Sequence, residues 1–111
     1  MRSESEIVAD LMQYSPQDGN WLGLEDLLAE LWATGPTSYC LPALFGIFER
    51  FPTDCAGPLW SILHGVEGLE FPYDVALRES LARQESEMGL VMLYRLEKAA
   101  GVDGAELRLP W

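Results

Sequence analysis

Apolar residues recur three and four positions apart along almost the whole chain, and no segment sustains a two-residue alternation of apolar and polar side chains. A chain with that period buries one stripe of a helix at a time, so the expected fold class is all-α. Six helices are predicted. The first spans about Ser3 to Tyr14, with Ser3 and Glu6 in capping-box spacing and Ile7, Leu11 and Tyr14 on one face. Asp18, Gly19 and Asn20 break it. The second spans about Trp21 to Ala33, with Leu24, Leu27, Leu28 and Leu31 as its stripe and Gly35-Pro36 as its stop. The third spans about Leu41 to Arg50 and accepts Pro42 because the first helical turn has no bond for proline to break.

Phe51-Pro52 closes the third helix, and Thr53 or Asp54 is placed to cap a fourth over about Gly57 to Gly68. The string Phe-Pro-x-Asp stands at Phe51 to Asp54 and again at Phe71 to Asp74, which suggests similar corners between helices laid side by side. A fifth helix follows over about Tyr73 to Arg83. Ser86 caps a sixth that reaches Ala100, and its apolar residues cover nearly all sides, which makes it the expected central helix. Residues 102–111 show no period and are expected to tuck Leu107, Leu109 and Trp111 against the bundle. Short connections between helices of this length force antiparallel neighbours. The expected architecture is one domain over residues 1–111, a right-handed stack of helical hairpins close to a short HEAT-like solenoid, with a closed bundle as the alternative.

Charge narrows the partners. The 111 residues carry 18 Asp and Glu against 7 Lys and Arg, a net charge of -11. A field of that sign repels DNA, RNA and anionic membranes, so the expected partner is a basic protein surface. Residues 1–49 hold eight acids and one base, and residues 50–111 hold ten acids and six bases, which makes the N-terminal half the stronger candidate contact surface. No apolar run of about 18 residues is present to span a membrane, and Glu4, Glu6 and Asp10 stand where an export signal needs bases and apolar residues. Two cysteines without a CxxC spacing fit free thiols, and a cytoplasmic location is expected.

Catalytic signatures are scarce. The single histidine, His64, with Cys40 or Cys55 forms a conceivable nucleophile pair without a supporting motif, and the competing reading is inert buried thiols. The Cys and His spacings match no zinc pattern, the acids no calcium loop, and the glycines neither phosphate-cradling arrangement. The chain is therefore expected to be no enzyme and to use no metal, cofactor or small-molecule substrate.

Two helix faces stand out. On the second helix Glu25, Asp26 and Glu30 lie opposite the leucine stripe with Leu22 among them; Trp21 and Trp32 sit at the stripe's edge, and Asp18 extends the patch. Acids around large apolar groups suit a partner offering Lys or Arg, because aromatics anchor and charges steer. The competing reading is a solvated face whose tryptophans belong to the core. On the fourth helix Trp60, His64 and Glu67 share a face away from Leu59, Ile62, Leu63 and Val66, with Glu70 and Asp74 following. That face is either a second contact for a basic partner or a packing face on which His64 bonds Glu67 or a backbone carbonyl.

The stretch Trp60-Ser-Ile-Leu-His64-Gly-Val-Glu67-Gly-Leu, then Ala76-Leu-Arg-Glu-Ser80, then Gln84-Glu-Ser86-Glu-Met88 leading into Leu93-Tyr-Arg95-Leu96, resembles small all-helical immunity proteins of bacterial polymorphic-toxin systems. The resemblance covers about residues 37–101 and rests on helix-packing patterns. Members of that group often read Pro-Ser-Glu before the last helix where this chain has Glu85-Ser86-Glu87, which keeps the cap. Such proteins are made beside a toxin and bind its C-terminal domain to block it. The resemblance implies a cognate toxin domain as partner, a cytoplasmic inhibitor and no active site to transfer. A helical adaptor for a cellular protein other than a toxin is the alternative.

Overall fold

The computed structural model describes residues 2–99, all of whose regular structure is helical. Six α-helices follow one another: α1 Glu4–Gln13, α2 Leu22–Ala33, α3 Leu41–Arg50, α4 Gly57–Glu67, α5 Asp74–Arg83 and α6 Glu87–Ala99. A single 3-10 turn, Ser38–Cys40, leads directly into α3 and was not expected from the sequence. The predicted tail over residues 102–111 lies outside the described residues.

Local chemistry sets most of the boundaries. Ser3 and Glu6 form the predicted capping box, each closing one of the two bonds at the start of α1. Ser86 Oγ accepts from the Gly89 amide and so caps α6. Asp18 (φ 51°) and Gly19 (φ 78°) occupy the left-handed region in succession and fold Gln17 back onto Asn20. Such a turn requires positive φ at both central positions, which is why Asp-Gly stands there. Asn20 Oδ1 then accepts from the Leu22 amide and supplies the bond that Trp21, the residue at the cap of α2, does not make.

The helices form two layers of three. In one, α1 packs on α3 and α3 on α5; in the other, α2 packs on α4 and α4 on α6. Hairpin partners α1–α2, α3–α4 and α5–α6 join the layers, and α6 also reaches α3. This is the stack of helical hairpins expected from the short connections. The predicted stripes are the buried ones: Ile7 and Leu11 on α1, Leu24, Leu28 and Leu31 on α2, and Leu59, Ile62, Leu63 and Val66 on α4.

Three expectations need correction. The central helix is α3, in which Leu41, Ala43, Leu44, Phe45, Ile47 and Phe48 are all buried, whereas α6 buries Met88, Gly89 and Met92. A middle helix of one layer has neighbours on both flanks and a second layer beneath it, so it must be apolar on three sides. The cap of α4 is Ala56, without a side-chain bond, and neither Thr53 nor Asp54 fills that role. Nor are the two Phe-Pro-x-Asp corners alike. Phe51 caps α3 with Asp54 still two residues from Ala56, and the Pro52 carbonyl accepts from the Glu87 amide, whereas Asp74 is itself the first residue of α5.

Candidate functional site

The sequence places the α2 patch and the α4 face on separate surfaces, but the structure brings Trp32 of the first and His64 and Glu70 of the second into one groove. It lies where the C-terminal ends of α2 and α4 meet, has a volume of about 440 Å³, and is lined by Trp32, Gly35, Pro36, His64, Gly65, Gly68, Leu69, Glu70 and Phe71.

Two glycines shape it. A Cβ on Gly65 would stand 2.2 Å from the Trp32 ring, so α4 must present a bare backbone for the indole to lie against. Gly35, at φ 64°, turns the chain out of α2 in the left-handed region that closes a helix C-terminus. The result is a half-buried indole between two helix ends, with Phe71 and Leu69 also half-buried against the core and Glu70 exposed to solvent.

The helix ends differ in where their bases come from. A helix C-terminus carries a partial negative charge, which a nearby cation offsets. The last turns of α3, α5 and α6 hold Arg50, Arg83 and Lys98, and Arg50 also reaches across to donate to the Leu11 and Tyr14 carbonyls at the end of α1. The last turn of α2 has no base of its own and that of α4 has only His64, but Arg2 pairs with Glu30 in the first and Arg95 with Glu67 in the second. These two ends are the ones that border the groove.

The remaining predicted residues divide. Trp21 packs its ring edge-on to Phe51 at 5.1 Å and against Tyr14 at 6.0 Å, so it belongs to the core rather than to an apolar anchor. Leu22 is 70% exposed, as its place among the acids suggested. Glu25 accepts from Ser61 Oγ at 3.0 Å, and Glu30 pairs with Arg2, which also holds Asp10. Asp26 and Asp18 are exposed, and their side chains have no hydrogen-bonding partner among the described residues. The triad Glu25, Asp26 and Glu30 is thus one free carboxylate between two engaged ones.

On α4, Trp60 and His64 have ring centroids 6.2 Å apart, while Glu67 turns to Arg95 on α6 in a two-bond pair at 2.8 and 2.9 Å. His64 is exposed and makes neither of the hydrogen bonds expected of it. Asp74 opens α5, half-buried, where an acid favours the positive end of the helix.

The thiols are poorly placed for nucleophilic chemistry. Burial, with Glu4 nearby, pushes the Cys40 thiol up to about 12. Cys55 is exposed and donates to Glu87 rather than to His64; burial of its sulfur and the Glu87 carboxylate raise it as well. No cluster of metal-ligating side chains occurs among the described residues. None of their helices is long and apolar enough to cross a membrane.

Sequence reasoning missed Gly65, Leu69 and Phe71 as site residues. Gly65 had a signal: glycine inside a helix costs about 1 kcal/mol relative to alanine, which a close approach by another group repays. Phe71 had been read only as punctuation. The chain matches no protein-family model, no curated protein and no solved structure.

Proposed function

We propose that this protein is a stoichiometric inhibitor of the immunity type, which binds the basic surface of a cognate toxin domain and occludes its active site or substrate cleft. One observation carries the reading. Each described Arg and Lys is engaged within the chain: Arg2 with Asp10 and Glu30, Arg50 with α1 carbonyls, Arg78 with Glu97, Arg83 with Glu49, Arg95 with Glu67, and Lys98 with the Tyr94 hydroxyl and ring. The side chains of Asp18, Asp26, Asp54, Glu70, Asp74, Glu79 and Glu85 have no ion pair or hydrogen bond among the described residues.

A surface that keeps its cations for itself and leaves its anions free is complementary to a basic partner. Toxins that act on nucleic acid need basic clefts, and free carboxylates can occupy the places of phosphates there. Charge complementarity also raises the association rate and rejects wrong partners, both of which self-protection demands. The resemblance over residues 37–101 supports the same reading and implies a toxin rather than a general cellular partner.

The test is co-expression with the toxin domain encoded directly upstream. Growth should be restored, and the two chains should elute together at one-to-one stoichiometry. Reversing Asp26 and Glu70 together should weaken the complex and steepen growth arrest. Continued arrest in the presence of folded, abundant protein would overturn the proposal.

A further inference from the structure

We infer that the groove between the ends of α2 and α4 receives an arginine side chain of the partner, an assignment that rests on the inhibitor reading and names what its site recognises. Two features converge there. Trp32 and Phe71 offer aromatic surface, and a cation over an indole gains the most of any ring. Glu70 stands at the rim, exposed, its carboxylate without a partner among the described residues.

Arginine fits better than lysine. A guanidinium is planar and weakly hydrated, so it can lie on an indole and still direct its outer N–H groups to a carboxylate. An ammonium is compact and strongly hydrated, and it loses more water on entering a groove walled by Pro36, Leu69 and Phe71. A neutral side chain of the same shape would gain the apolar contact but leave Glu70 unanswered.

The experiment follows the Trp32 indole N–H by NMR while acetyl-Gly-Arg-Gly-amide, its lysine counterpart and its citrulline counterpart are titrated in turn. Citrulline keeps the shape of arginine and removes its charge. The arginine peptide should give a saturable shift at Trp32, with the lysine peptide weaker and the citrulline peptide weaker by about tenfold. Glu70→Lys, a surface change that leaves the Trp32–Gly65 contact in place, should abolish the shift. Gly65→Ala should displace the indole and weaken binding in parallel. Equal binding of arginine and citrulline peptides, no binding of the arginine peptide, or an unchanged shift in Glu70→Lys would each overturn the assignment. Toxin protection is read separately: if it persists while the peptide does not bind, the arginine assignment alone falls, and if the peptide binds without protection, the immunity reading falls.

Discussion

Two seams of the fold, one in each layer, close by different means. Where α3 meets α5, the Glu49 carboxylate takes a 2.7 Å bond from Ser80 and two bonds from Arg83, and Ser80 is only 2% exposed. Where α2 meets α4, an indole lies on a glycine, and the one hydrogen bond between the helices, Ser61 to Glu25, is exposed. The first seam uses up its charge internally. The second leaves Glu70 facing outward beside Trp32, which is the arrangement the proposed recognition role requires.

The comparison can be broken in several places. Phe45→Ala should be the most damaging change, because Phe45 is fully buried in the helix that both flanking helices of its layer need. A loss of about 3–5 kcal/mol is expected in denaturant unfolding. Gly65→Ala should cost about 1–3 kcal/mol, since the indole or the α2–α4 spacing must give way. If that variant is as stable as the parent, the ring does not need the bare backbone and the account of the open seam is wrong.

Ser80→Ala should cost about 1 kcal/mol by removing one bond to Glu49 and leaving the Arg83 pair. The same seam sets a pH dependence. Burial alone would raise the Glu49 carboxyl, but the Arg83 and Ser80 hydrogen bonds and the Arg83 and Arg50 charges outweigh it and hold the group below its usual 4.5. A depressed folded value means that this stability is present above pH 4.5 and is lost as pH falls through the lower folded value. Thermal melts should therefore drop on acidification below pH 4.5, and Glu49→Gln should flatten part of that drop. An identical acid profile in the variant would remove Glu49 from the account. Smallest of all should be Arg2→Ala, which breaks an exposed pair and costs less than about 1 kcal/mol in a thermal melt.

The helices were legible in the sequence because their signals are local. Ser3 with Glu6, Ser86 before Met88, and the Leu59, Ile62, Leu63 and Val66 stripe each lie within two turns of chain. Which helix is central was not, although the run Leu41 to Phe48 is nearly all apolar; the wheel of α6 looks similar, and only the stacking order separates them. The candidate site was half legible. Trp32, His64 and Glu70 were singled out on separate surfaces, and it takes a contact between residues 33 apart, Trp32 and Gly65, to join them. The uneven acid count misled for the same reason: Glu30 and Glu49 are neutralised by Arg2 and Arg83, partners 28 and 34 positions away, which no local pattern records. Free carboxylates remain in both halves, and Glu70, the one at the groove, comes from the half with the smaller net charge.

The most direct measurement is calorimetric binding of an octa-arginine peptide to two variants with the same change in net charge, Glu70→Lys at the groove and Glu79→Lys on the exposed face of α5. Both acids are unpaired among the described residues, so bulk electrostatics treats them alike. A localised site predicts that Glu70→Lys loses about tenfold or more in affinity, while Glu79→Lys loses only the small, salt-screened share of a distant charge. Equal losses in the two variants would contradict the claim that the open α2–α4 seam is where this acidic surface recognises its partner.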